Sequence, residues 1–241
     1  MPAACSTAAS SRSTCSKRND VEGPAALAVK AVLFDLDGTF ADTAPDMARA
    51  INAVRSRHGM PALPLLQLRP FVSNGARGMV GAAFGIKPGD ANFTELREEF
   101  LIEYERAICV HSQLFDGMLS IVTLLEQRNI EWGIVTNKVA RHSTPLVRAF
   151  GVETRAGCVV SGDTCARAKP HPDSLLHAAK LIRIDPAHCL YVGDDLRDIQ
   201  AAHAAGMRSV AALYGYLGDS DPATWNAHHS INTPADIAQL L

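Results

Sequence analysis

Two carboxylates stand two residues apart where an apolar run ends, in VLFDLDGTFADT, Val32 to Thr43. Acids beside a buried strand are costly unless opposite charge meets them. Asp35 comes first after the run and is placed to act as a nucleophile. Asp37 faces the same side two residues on, suited to protonating a leaving alkoxide and then activating water. Gly38 lets the chain turn sharply, so that both acids reach one point.

Further polar groups fall at or near the ends of later apolar runs. Thr136, Asn137 and Lys138 follow one, Lys169 in AKPHP comes after the next, and Asp194, Asp195 and Asp198 follow another. Asp35, Asp194 and Asp198, with the backbone carbonyl of Asp37 and waters, suit a hard divalent ion such as Mg²⁺. Asp198 serves either as a further ligand or as an anchor behind the ligands. Asp195 fits a helix start near the dipole as well as it fits a metal. Thr136, Asn137 and Lys169, with nearby backbone N–H groups, suit a dianionic phosphate, and Pro170 and Pro172 restrict the loop that carries the lysine.

Elements that bring these residues together can be read from the pattern. KAVLF (30–34), EWGIVT (131–136), GCVVSG (157–162), CLYVGD (189–194) and RSVAAL (208–213) are near-continuous apolar runs, as expected of strands covered on both faces. Amphipathic stretches at 117–129, at 172–184 and from Leu196 alternate with them. The alternation predicts a Rossmann-like α/β core with a parallel sheet, whose ligands sit beyond the carboxyl ends of the strands. Residues 45–110 carry helix patterns only. Thr43 is placed to cap the first of these helices, with Pro45 in its first turn. The expected organisation is a core of 29–44 and 111–241 with an inserted all-helical cap, 45–110. In the cap, Asn74, Gly75 and Arg77 form a polar turn. It is either a helix start or a specificity loop in which Arg77 meets a substrate carboxylate, a part Lys138 could share. His111, His142 and His171 are read as surface residues, Trp132 as core and Trp225 as a surface-loop anchor.

The 241 residues carry 25 acids against 23 bases, so a basic nucleic-acid footprint is absent. No apolar run approaches the roughly 18 residues of a membrane span. Six cysteines at irregular spacing predict neither a zinc site nor a disulfide framework, and a reducing, cytoplasmic compartment. Residues 1–28 are rich in Ser, Ala and Thr and basic before Asp20. They read as a disordered extension, an over-long start or a targeting segment.

DLDGT, VTN, Lys169 and GDDLRD resemble, in order, the four motifs of the haloacid dehalogenase superfamily. The resemblance spans about residues 30–213 and implies a parallel-sheet core, a helical cap, Mg²⁺ and phosphoryl transfer through an aspartyl-phosphate. DTAPDM, VSNGARGMV, AKPHPDSLL and VGDDLRDIQAAHAAGM, with YGY at 214–216, look most like the phosphoglycolate phosphatase group. EFLIEYERAICVHSQLFDGM and DPATWNAH look closer still to the N-acetylmuramic acid 6-phosphate phosphatases of cell-wall recycling. Phe40 stands where the superfamily usually has leucine. Asp37 argues against a dehalogenase, which forms no alkoxide, and Met47 stands about where sugar phosphomutases carry a cap histidine. The expectation is an Mg²⁺-dependent phosphomonoesterase acting on a small phosphorylated metabolite, 2-phosphoglycolate or N-acetylmuramic acid 6-phosphate, as a monomer or weak homodimer. A phosphomutase and an idle binding protein of the same fold are the alternatives.

Overall fold

Strand β1, Ala31–Phe34, is wholly buried and lies in the middle of the sheet. Its neighbours are β4, Glu131–Val135, and β6, Cys189–Gly193, both parallel to it. β5, Cys158–Val160, extends the sheet on one side, and β7, Arg208–Ala212, and β8, His229–Ile231, on the other. The order is β5-β4-β1-β6-β7-β8, all parallel. This computed structural model describes residues 28–218 and 220–241 with positions 1 and 3; the rest of the Ser- and Ala-rich leader lies outside the described residues.

Both faces of the sheet are covered. On one, Val32, Phe34, Trp132, Ile134, Leu190 and Val192 pack with helix α5, Met118–Gln127, and with Leu146 and Val147 of α6, Ala140–Ala149. On the other, Leu33, Val135, Val160 and Tyr191 pack with α7, Asp173–Ile182, and α8, Leu196–Ala204. Double burial is why these strands read as continuous apolar runs. β8, HSI, was not among the strands expected. It is a three-residue edge strand with two exposed positions, too short to leave a pattern.

The segment between β1 and β4 makes a second apolar core. Helices α1, Ala44–Arg57, α2, Leu65–Leu68, α3, Gly75–Phe84, and α4, Phe93–Glu105, pack around Ile51, Val54, Met79, Phe93, Leu96 and Phe100. The chain leaves and re-enters the sheet domain through two short antiparallel strands, β2, Ala41–Asp42, and β3, Gln113–Leu114. The return crossing is tied to the outgoing helix by Asp46. Its Oδ2 accepts from the main-chain N–H groups of Val110, His111 and Ser112, at 2.9, 2.9 and 2.8 Å, and from Ser112 Oγ at 2.7 Å. Burial pushes the Asp46 carboxyl up, but these bonds outweigh it and hold the pKa below the ordinary value.

Asp46→Ala leaves that cluster of donors without an acceptor and should destabilise the protein by about 3 kcal/mol at neutral pH. Because the folded-state pKa is lowered, the contribution is complete above the unfolded value of about 4 and is lost as pH falls through the folded one. The gap in melting temperature between wild type and variant should therefore narrow in acid. A gap that stays constant down to about pH 3 contradicts the assignment.

Candidate active site

Parallel register brings the polar residues to one edge. Phe34 pairs with Ile134 on one side and Val192 on the other, so Asp35, Thr136 and Asp194 emerge side by side just past the strand ends. Asp35 N–H still bonds Val192 O at 2.9 Å, and the chain then folds back through Gly38 N–H to Ala41 O at 3.0 Å. Gly38 has φ +87°, and a Cβ there would collide with the Asp194 carboxylate and the Tyr216 ring. Only glycine lets this turn lie against the acid.

Lys169 arrives from the loop after β5 and is the counter-charge. Its ammonium lies 2.9 Å from Asp35 Oδ1 and 2.7 Å from Asp198 Oδ1. It also donates to Tyr191 Oη at 2.7 Å and to Val135 O at 3.1 Å. Asn137 places this lysine. Its side-chain amide donates to Lys169 O at 3.0 Å and accepts from Lys169 N–H at 2.9 Å. These two bonds tie the Asn137 side chain to the lysine's main chain. Thr136 is buried, and its hydroxyl accepts from Lys138 N–H at 3.1 Å, which leaves its own proton free to donate into the crevice.

Carboxylate oxygens of Asp35, Asp194 and Asp198 lie within 4.8 Å of one another. Asp194 is fully buried and accepts from Thr39 Oγ1 at 2.9 Å and Tyr216 N–H at 2.8 Å. Burial, then Asp35 and Asp198, raise its pKa well above the ordinary value. Burial likewise pushes Asp35 up to about 7, against the pull of Lys169 and with Asp198 and Asp37 adding to the rise. Asp35 Oδ1 is buried without an aligned hydrogen bond. Three carboxylates face one ammonium here, so two negative charges lack a partner when all are ionised. A hard dication with oxygen ligands fits that deficit. Asp35 accepts no aligned hydrogen bond and Asp194 accepts only from neutral donors, whereas Asp198 is bound to the Lys169 ammonium and to the main-chain N–H of Asp195 at 3.1 Å. Asp195 caps α8 and pairs with Arg197 at 2.7 Å.

Asp37 stands apart from that group. Lys138 Nζ donates to its Oδ1 at 2.8 Å, and Thr43 Oγ1 makes a short hydrogen bond to the same atom. Thr43 precedes α1 as expected but gives the helix no side-chain cap, because its hydroxyl goes to Asp37. Burial works against the Lys138 charge, yet Asp37 and then Tyr104 hold its pKa above the usual lysine value.

A crevice of about 750 Å³ opens above these groups, between the strand ends and the helical insert. Met47, Asn74, Gly75, Arg97, Phe100 and Tyr104 line its insert side, and Lys138, Val139 and Arg141 the sheet side. Arg77 does not reach it. Gly75 and Ala76 line the crevice, and Arg77, about 100° further round α3, is exposed outside it. Arg97 of α4 lies in the wall instead. Four features escape sequence reading. The Lys138–Asp37 pair spans 101 residues. Tyr104 looked like one more core residue in the stripe of α4. His142, expected at the surface, is buried and meets Glu105 of α4 at 2.7 Å. Trp225 is also buried, against Ile199 and Ala211.

The sequence model of haloacid dehalogenase-like hydrolases matches residues 32–212. The chain belongs to the haloacid dehalogenase-like hydrolases. Among these hydrolases it is 47% identical over 209 residues to a phosphoglycolate phosphatase of Xanthomonas campestris pv. campestris, covering 86% of this chain and 94% of that one. It is 40% identical over 214 residues to an N-acetylmuramic acid 6-phosphate phosphatase of Pseudomonas aeruginosa, covering 88% and 95%. The crystal structure of a predicted phosphoglycolate phosphatase from Haemophilus somnus superimposes with a TM-score of 0.78 at 26% identity, over 88% of this chain and 97% of that one. The parallel sheet with a helical insert after its first strand is the architecture expected from the sequence. Family membership implies a divalent metal, and the acidic cluster suits one.

A cation binding between Asp35 and Asp194 must displace the proton that Asp35 holds below about pH 7. The dissociation constant for Mg²⁺, followed by calorimetry, should therefore fall as pH rises from 6 to 8, by up to about tenfold per unit below 7. An affinity indifferent to pH over that range contradicts a place for Asp35 in the metal set.

Proposed function

We propose that this hydrolase cleaves phosphomonoesters of small carboxylic or sugar acids, with the sheet domain, 29–44 and 111–241, supplying chemistry and the helical cap, 45–110, selecting the substrate. One observation carries the reading: a carboxylate directly after the central strand, ion-paired to a buried lysine at 2.9 Å, inside a cluster of acids at the floor of a crevice.

Asp35 is the nucleophile. It attacks phosphorus in line with the ester bond, that P–O bond breaks, and the phosphoryl group is left on its carboxylate. Asp37 gives its proton to the departing alkoxide, then takes one from the water that attacks the aspartyl-phosphate, which returns Asp35 and releases phosphate. Lys169 and Thr136, with main-chain N–H groups, hold the phosphoryl oxygens. Asn137 and Asp198 keep Lys169 in place. Asp35, Asp194 and the Asp37 carbonyl would hold a divalent cation, which would supply the positive charge that an anionic nucleophile needs to approach an anionic phosphate. Met47 in the crevice wall has no proton to move, which favours hydrolysis over the mutase alternative.

Two substrates follow from the relatives' names, and they differ in length. In phosphoglycolate the carboxylate sits next to the ester, on the side of Lys138, which is already paired with Asp37. In N-acetylmuramic acid 6-phosphate it lies across a sugar ring, toward groups such as Arg97. A crevice of about 750 Å³ lies in the range of ligands far larger than a two-carbon acid, and this favours the sugar acid. Wild type should hydrolyse an aryl phosphate only with Mg²⁺, and Asp35→Asn should lose at least about 10³-fold in kcat while melting as wild type does. Retained turnover in that variant, or in excess chelator, rejects the mechanism. kcat/KM for the sugar acid should exceed that for 2-phosphoglycolate by about tenfold or more; the reverse order assigns the two-carbon acid, and phosphate reappearing on another hydroxyl assigns a mutase.

A further inference from the structure

Tyr216 lies in the loop after β7 and has no part in the chemistry above, yet it touches Asp194 and, through Thr43, is one bond from Asp37. Its main-chain N–H donates to Asp194 Oδ2 at 2.8 Å. Its phenol points the other way, to where the chain leaves the sheet domain for α1. The phenol oxygen accepts from Thr43 N–H at 2.8 Å and Ala44 N–H at 3.0 Å, and donates to Asp42 Oδ1 at 3.0 Å. All three of its hydrogen-bonding positions are used. The ring is 5% exposed and packs in the apolar cluster of the cap, not that of the sheet. Arg69 of the cap stands over it, 5.0 Å from its centroid, and pairs with Asp42 at 2.9 Å. Thr43, held by the phenol through its N–H, gives its own hydroxyl to Asp37. A Cβ on Gly215 would collide with Asp194 and with Gly38 O, so the loop lies hard against the acid.

We infer that Tyr216 is a positioning residue that ties the metal site at Asp194 to the hinge of the cap and, through Thr43, to Asp37. The inference rests on Asp194 being a metal ligand. An Asp194 carboxylate that reorients to meet a cation carries the Tyr216 N–H with it, and the saturated phenol passes the shift to Thr43 and Ala44 at the start of α1. The other hinge fastenings, the β2–β3 pair and the Asp46 cluster, make no hydrogen bond to Asp194. Thr39 also reaches Asp194, from the segment before β2, but Tyr216 is the link that joins Asp194 to the main-chain N–H groups at the start of α1.

The test is hydrogen exchange at the Thr43, Ala44 and Asp46 amides of the full chain, with and without Mg²⁺ plus inorganic phosphate, in wild type and Tyr216→Phe. Phenylalanine keeps the ring and the main-chain donor to Asp194. Wild type should show exchange at these amides slowed about tenfold by Mg²⁺ and phosphate. The variant should bind Mg²⁺ within about threefold of wild type by calorimetry, yet lose the slowing to under about twofold, with kcat down about tenfold or more. Equal slowing in the variant overturns the coupling while leaving the metal reading intact. Wild type that binds no Mg²⁺ overturns both. Should Tyr216→Phe fail to fold, Asp42→Ala removes the phenol's acceptor and the Arg69 partner but keeps Tyr216; it should show the same loss of slowing in weaker form, and undiminished slowing there also rejects the link.

Discussion

Carboxylates packed against one buried lysine, with more negative charge than that lysine can answer, are the constraint on which this molecule turns. Asp35, Asp194 and Asp198 stand together only because β1 lies between β4 and β6 and because the loop after β5 delivers Lys169 from the far side. In water such a group would separate. Here the strands hold it, and burial lifts Asp35 and Asp194 above ordinary carboxylate values. The arrangement is costly as a structure, and a dication bound there would relieve the repulsion. Elements that look ornamental have their place in this light. The Asn137 amide braces Lys169 from both sides of its peptide, and Asp198 closes the start of α8 while it holds the ammonium.

Between this floor and the helical insert run few but well-satisfied contacts. Asp46 gathers three consecutive amides of the returning chain. Arg197 of α8 reaches Ser73 O at 2.9 Å, and Glu105 of α4 meets Arg141 and His142 of α6. These are polar bonds at a boundary between two separate apolar cores. Such a boundary permits movement of one body on the other at lower cost than a shared core would.

Much of this was readable in the sequence, for a physical reason. Strands buried on both faces must be apolar throughout, so the residues that break each run mark a strand end, and ligands gather at strand ends. Asp35, Thr136 and Asp194 stand at or just past such ends. What a local pattern leaves out is the partner. Thr43 has the place of a helix cap, but its hydroxyl turns to Asp37, and the Asn137 side chain turns to a loop 32 residues away. Asn74 to Arg77 is a helix start, one of the two readings the sequence allows, with Arg77 in solvent. β8 stayed hidden because two of its three residues are exposed at an edge.

The charge pairs also say where selectivity can reside. On the sheet side of the crevice, Lys138 is bound to Asp37, Arg197 to Asp195 and Arg141 to Glu105. Groups so matched recognise little that is new without breaking a bond they already have. On the cap side, Arg97 and Glu98 of α4 line the crevice and form no ion pair among the described residues. Discrimination between phosphorylated acids needs a charge free to be answered by the substrate. In the crevice wall the charges left unpaired, Arg97 and Glu98, thus lie on α4, while those of the sheet side are already answered by partners of their own.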